Sequence, residues 1–277
     1  MTKENKTFRH IKIALVTALG AMAEIYAVSF LLSGPLEWDF LFIMFLIPTA
    51  VYLFNYFEEP RRWEAKDVYE STLHKHIIFT LFILCFTVGT LWFVGVHGNS
   101  IGLSIAILIM VWGLLYTVLF KGLTHYILGF KDFYVAVGWN LIIPFYVFYY
   151  SLPFNYAVII IMVLVFIRDL MNTSYYDLKD MDEDKEKGLK TFATVLGGDR
   201  LFLVLQLLNG LGAFIIIVAV LLRFMPLASV LILVPILASS CELFWSRANK
   251  SYSSLLIDLE YFIWALVFFI YQINGKN

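Results

Sequence analysis

The chain has 277 residues, 61% of them hydrophobic and 15% charged, with a mean hydropathy of +0.82. That composition excludes a soluble globular domain and points to a polytopic membrane protein. The net charge of −1 gives no argument for a nucleic-acid partner, and none is expected.

The opening stretch "MTKENKTFRH" is polar and basic, and no small-residue cleavage site follows the first apolar run. This predicts an uncleaved first helix with a cytosolic N-terminus. A transmembrane helix takes about 20 apolar residues. Runs of that kind fall at 11–33, 39–57, 77–96, 101–120, 132–151, 154–176, 201–223, 226–246 and 253–273, which predicts nine spans. Lys3, Lys6, Arg9 and Lys12 precede the first, and Arg61, Arg62, Lys66 and Lys75 lie between the second and third. Lys121 and Lys131 join spans four and five, Arg200 ends the link from six to seven, and Arg247 and Lys250 join eight and nine. The links "SGPLEWD", "VGVHGNS" and "SLPFN" on the other face hold no basic residue. Only Arg223 and Lys276 fall on that face, so the asymmetry predicts an integral protein of the cell membrane with its N-terminus and all even-to-odd links in the cytosol. No linker or low-complexity tract divides the chain, so one all-α domain over 1–277 is expected. Its two long acidic links, 55–76 and 177–200, then share one membrane face, the second as a short helix or cap at a cytosolic mouth. Cys85 and Cys241 stand inside apolar runs, where small packing residues are the simpler reading.

Chemistry-bearing residues appear in several of these elements. Glu24 and Glu242 are acids inside spans one and eight, suited to lining a cavity, accepting a proton or bridging helices. The end of span two reads "FNYFEEPRRWEAKD", where Asn55 and Glu59, at i and i+4, share a helix face. Pro60 kinks or ends the helix and is expected to turn Glu58, Glu59 or Asp67 towards a ligand, with Arg62 beside them. Tyr116 and Lys121 close span four; such a lysine also serves as an interfacial anchor. Arg168, Asp169 and Asn172 lie inside span six, where ionisable groups face a polar interior.

The densest charge follows span six, in "DLKDMDEDKEKGLKTF". A helix continuing through it would place Asp177, Asp180 and Asp184, at i, i+3 and i+7, on one face. Three converging carboxylates repel one another unless a cation lies between them, and an oxygen-only set suits Mg²⁺ completed by water and phosphate. The run also reads as a solvated link. A calcium-binding loop starting at Asp180 fails, with Lys185 where Gly is required and Thr191 where Glu should be.

"YYDLKDMDEDKEKGLKTFATVLGG" resembles the second aspartate-rich motif of the UbiA superfamily of intramembrane prenyltransferases, which includes UbiA-type terpene cyclases. Asp177, Asp180, Asp184, Gly188, Lys190, Thr191 and Gly197 occupy its positions. The superfamily's other motif, at the end of span two, is degenerate here. Asn55 matches and Glu59 stands for one Asp, but Tyr56 and Trp63 replace the other acids.

The resemblance implies a nine-helix bundle that ionises an isoprenoid diphosphate with Mg²⁺ held by Asp177, Asp180, Asp184, Asn55 and Glu59. It implies diphosphate contacts from Tyr116, Lys121, Arg168, Asn172, Lys190, Glu58 and Arg62, and a prenyl tail among membrane lipids near Phe54, Phe57, Trp139, Tyr116 and Tyr175. Transfer to a hydrophobic or aromatic acceptor is the leading expectation. Cyclisation without an acceptor, and a non-catalytic lipid-diphosphate binder or transporter, are the alternatives.

Overall fold

The computed structural model describes residues 3–63, 73–249 and 259–274, without the side chains of residues 3–10, 57–63, 73–79 and 82. Every regular element among them is a helix. They are α1 (Lys3–Leu31), α2 (Trp38–Trp63), α3 (Leu73–His97) and α4 (Ser100–Leu115), the last continued by a wide π turn (Tyr116–Phe120) and a 3-10 turn (Lys121–His125). Next come α5 (Phe130–Asn140), α6 (Ile142–Tyr149), α7 (Tyr156–Lys179), α8 (Met181–Glu186) and α9 (Phe192–Leu196). Then follow α10 (Gly198–Leu221), a 3-10 turn (Leu227–Ile232), α11 (Leu233–Asn249) and α12 (Glu260–Asn274).

Seven helical segments among the described residues are long and apolar enough to cross a membrane: Ile11–Leu31, Trp38–Tyr56, Ser100–His125, Phe130–Tyr149, Tyr156–Lys179, Gly198–Leu221 and Leu227–Asn249. Nine were expected. The expected span 77–96 falls in α3, whose described apolar part, Ile83–His97, is shorter. The expected span 253–273 meets α12, whose 15 residues fall short of a full crossing.

The outer faces expose Trp92, Phe214, Leu221 and Leu237, while Glu24, Asp132, Arg168, Asp177 and Glu260 are buried. This inverts a soluble fold, as expected where lipid is the solvent. Asparagine starts two of the spanning helices. Asn99 Oδ1 accepts the Gly102 N–H at 2.8 Å, and Asn155 Oδ1 accepts the Val158 N–H at 3.3 Å, so each satisfies an orphan donor of a first turn. Asn99 also donates to the Phe148 carbonyl at 2.7 Å, tying the start of α4 to the end of α6.

The main core joins α1, α2, α4, α6 and α7 through residues such as Ile25, Phe40, Met44, Phe145 and Ile161. A second cluster, including Met171, Tyr175, Phe202 and Leu243, holds α7 to α9, α10 and α11. Leu178 and Ala193 of the acidic link belong to this second cluster.

Candidate functional site

The link after α7 is fastened to the link before α5. Gly129 N–H donates to the Lys190 carbonyl at 2.8 Å, and Lys190 N–H donates to the Thr124 carbonyl at 2.9 Å. Gly129 has a φ of +63°, and a Cβ there would meet the Phe192 ring at 2.5 Å, so both conformation and space require glycine. This clasp sets the first turn of α5, carrying Lys131 and Asp132, against the last turn of α7, carrying Asp177.

Lys131 Nζ lies 2.5 Å from Asp177 Oδ1. Asp177 is fully buried, and so is Asp132, whose carboxylate faces it. Neither oxygen of Asp132 receives a hydrogen bond, nor do Asp177 Oδ2 and Asp184 Oδ2. Carboxylate oxygens can accept from a donor or a cation, and among the described residues no hydrogen bond reaches these four.

The expected continuous helix through Asp184 does not form. α7 ends at Lys179, Asp180 turns the chain with φ −101° and ψ 8°, and α8 starts at Met181. The single-face argument for the three aspartates therefore fails, although folding still gathers them. Asp184 N–H donates to the Asp180 carbonyl at 2.8 Å, and Asp184 feels the charges of Lys131, Asp177 and Asp180. Burial raises the Asp184 carboxyl above the ordinary Asp value; Lys131 opposes the rise, while Asp177 and Asp180 add to it. Asp180 itself is exposed.

The rest of the motif has a structural task. Gly188 takes a φ of +69° just after α8, where Leu189 N–H donates to the Asp184 carbonyl at 2.9 Å. Thr191 caps α9 by accepting the Thr194 N–H at 3.2 Å. Lys190, expected at the diphosphate, is exposed and its Nζ reaches the Tyr126 carbonyl at 3.4 Å.

A cavity of about 360 Å³ opens between α2, α4 and α5. Tyr52, Asn55, Trp112, Tyr116, Tyr134 and Trp139 line it. Trp112 Nε1 donates to the Tyr134 carbonyl at 3.0 Å, and Tyr134 OH donates to the Trp112 carbonyl at 2.7 Å, with the rings stacked at 4.4 Å. This reciprocal pair fixes one wall. Thr117 Oγ1, in the π turn, donates to Asn55 Oδ1 at 2.9 Å and fixes another. Tyr116 is close enough to Lys131 to interact with its charge, so the cavity and the carboxylate group are neighbours.

Of the residues expected at the site, Asn55, Tyr116 and Trp139 line this cavity, and Asp177 and Asp184 form the acidic group beside it. Lys121 begins the 3-10 turn after Phe120, and Asn172 is half-buried on α7 without lining the cavity. The side chains of Phe57, Glu58, Glu59 and Arg62, and Asp67 entirely, lie outside the described residues.

Two expectations are corrected. Arg168 does not face the cavity; its Nε and Nη2 both donate to Glu260, Nη2 at 2.7 Å to Oε2, and Nη1 donates to Asn209. Tyr175 is buried in the second cluster, and its hydroxyl shares a 2.7 Å hydrogen bond with Ser246. Glu24 belongs to Arg168's neighbourhood rather than to the cavity, facing Asp169 and Glu260. In the sequence Lys131 serves only to mark orientation, and Asp132 does not stand out. The available signal was an ionisable residue inside the first turn of an apolar run.

Among the described residues no three His, Cys, Asp or Glu side chains form a ready-made metal site. Mg²⁺ does not need one, since it is commonly held by one or two carboxylates plus water and substrate phosphate. Asp132 and Asp177, with three oxygens that receive no hydrogen bond, fit that demand as a two-carboxylate set.

No protein-family model and no curated protein matches the sequence. Solved structures do match in fold. A UbiA homologue from Aeropyrum pernix superposes with a TM-score of 0.67 at 11% identity, covering 95% of this chain and 98% of its own. A UbiA homologue from Archaeoglobus fulgidus gives 0.67 at 16% identity, covering 93% and 96%. A digeranylgeranylglyceryl phosphate synthase structure gives 0.61 at 13% identity, covering 96% and 98%. Over nearly its whole length, the chain has the fold of the UbiA homologues.

Proposed function

We propose that this protein is a UbiA-type intramembrane prenyltransferase that ionises an isoprenoid diphosphate and passes the prenyl group to a hydrophobic or aromatic acceptor. The observation that carries the reading is the aromatic cavity walled by Tyr134 and Val135 of α5, the helix whose first turn, with Lys131 and Asp132, packs at buried Asp177 with carboxylate oxygens that receive no hydrogen bond. The likeness of fold, and one structural neighbour that is a synthase of a prenylated glycerol phosphate, support it. In this reading α3 and α12 belong to the remaining two of nine spans, and the acidic links face the cytosol.

Asp177, Asp180 and Asp184, with Asn55 and Glu59 on the α2 side, would hold Mg²⁺. The ion, when bound, neutralises the diphosphate and improves it as a leaving group. Lys131 and Lys121 add positive charge where negative charge develops as the C–O bond breaks. The electron pair of that bond leaves with the diphosphate, and the allylic cation lies among Tyr116, Trp112 and Trp139, whose ring faces favour positive charge. These rings are half-buried, so a bound prenyl tail would complete the exclusion of water, which would otherwise trap the cation.

Cyclisation without an acceptor is the second reading, favoured by the same aromatic lining, which suits a carbocation that rearranges in place. The test is incubation of the membrane-embedded protein with Mg²⁺ and geranyl, farnesyl or geranylgeranyl diphosphate, with and without aromatic and glycerol-phosphate acceptors. Acceptor-dependent diphosphate release is expected. Cyclic products without acceptor would establish the second reading, and no release under any condition would leave a lipid-diphosphate binder.

A further inference from the structure

Resting on that reading, we propose that Asp132 and Asp177 form the divalent-cation seat on the α5 side of the site. Lys131 is its built-in counter-ion, offsetting part of the seat's charge until an ion arrives and then turning its ammonium to the diphosphate.

The sequence looked for the second set of ligands in the degenerate stretch "NYFEEP" of α2, yet a buried carboxylate opposite Asp177 stands on α5. Asp132 and Asp177 are both 0% exposed and face each other. Three of their four oxygens receive no hydrogen bond. Two buried carboxylates in apposition repel when both are ionised, so the arrangement calls for a shared proton or a cation between them.

Lys131 supplies that charge incompletely. Its ammonium meets one oxygen, Asp177 Oδ1, while its side chain remains 34% exposed. A lysine on a flexible stem, held by a single carboxylate oxygen, can give way to a divalent ion of higher charge. Asp184 Oδ2, also without a donor, offers a further oxygen on the side of the acidic link. Tyr116 on the cavity wall lies within electrostatic range of Lys131, so the displaced ammonium would remain near the cavity. One residue would thus compete with the metal in the empty site and assist the diphosphate in the loaded one.

The test measures metal binding directly, using the full chain in lipid nanodiscs and Mn²⁺ read by electron paramagnetic resonance. Mn²⁺ is titrated alone and then with inorganic pyrophosphate. Lys131→Met is expected to bind Mn²⁺ alone more tightly, on the order of tenfold, and to lose part of the pyrophosphate-dependent gain, whereas Lys131→Arg stays near wild type. Asp132→Asn is expected to weaken Mn²⁺ binding by about 10- to 100-fold. Unchanged or weaker binding in Lys131→Met overturns the counter-ion role, and unchanged binding in Asp132→Asn overturns the seat; a proton shared by the two aspartates would give the latter result. Lys131→Met alters a partly exposed position and keeps the test decisive should Asp132→Asn not fold. Wild-type protein that binds Mn²⁺ in this pattern but ionises no allylic diphosphate would overturn the prenyltransferase reading and leave the seat standing.

Discussion

Arg168 on α7 grips Glu260 on α12 through two nitrogens, and a third nitrogen reaches Asn209 on α10. Both charged partners are almost fully buried. Removing one leaves the other uncompensated, which typically costs about 3–5 kcal/mol. Glu24 and Asp169 stand beside Glu260, so losing the guanidinium would also leave three acids together. Arg168→Met and Glu260→Gln should each lower the temperature at which the protein in detergent loses its monodisperse peak. Arg168→Met combined with Glu260→Leu should recover much of the loss. The diphosphate KM of the folded fraction should stay near wild type. A raised KM without a stability loss would instead return Arg168 to the substrate.

Asp180 makes the opposite prediction. It is exposed at the turn between α7 and α8 and contributes its backbone carbonyl, not its side chain, to the Asp184 hydrogen bond. Asp180→Ala should therefore leave thermal stability within about 0.5 kcal/mol of wild type. If its carboxylate helps to hold the cation, diphosphate release should fall by about 10²-fold or more. Thermal unfolding and released diphosphate measured on one preparation separate the two effects. Normal turnover would remove Asp180 from the ligand set.

The contrast between these residues shows what was legible in the sequence. The acidic run was visible because so many charges beside an apolar span have few uses, and its glycine and threonine positions reflect local backbone needs. Gly188 does adopt positive φ, and Thr191 does cap a helix. The helix break at Asp180 was hidden because helical periodicity extrapolates through any run without Pro or Gly, whereas docking of Lys190 against Thr124 decides where this chain turns. Arg168 was recognisable as an interior charge, but its partner lies 92 residues away, beyond any local spacing argument. Asp132 was missed for a related reason. At the start of an apolar run it resembles an interfacial anchor until Asp177 is brought against it.

The cavity predicts chain-length selection. Its volume of about 360 Å³ lies within the range of small-molecule pockets, about 300–1,000 Å³, so added bulk should exclude longer tails first. Val135 and Gly138 both line it, and a Cβ at Gly138 would already come within 3.0 Å of Trp112. Val135→Phe should lower kcat/KM for geranylgeranyl diphosphate relative to geranyl diphosphate by about tenfold or more, since each methylene is worth about 1–3 kcal/mol in a fitted apolar pocket. An equal loss on both substrates would place the tail elsewhere.

Gly129 and Gly188 provide a matched pair for the clasp. Their φ values, +63° and +69°, impose a similar backbone penalty on alanine, about 1–2 kcal/mol. Their surroundings differ: a Cβ at Gly188 meets nothing within 4 Å, whereas one at Gly129 meets two Phe192 ring atoms at 2.5 Å. Gly188→Ala should therefore show the backbone cost alone. Gly129→Ala should add a steric cost of about 1–3 kcal/mol from overpacking. It should also weaken the Lys190 hydrogen bond that holds α5 against α7, shifting Lys131 and Asp132 away from Asp177. The thermal stability loss should be larger for Gly129→Ala, and only that variant should lose kcat by more than its loss of folded protein explains. Equal losses in both assays would mean that Phe192 moves aside freely and that the clasp does not set the carboxylate pair.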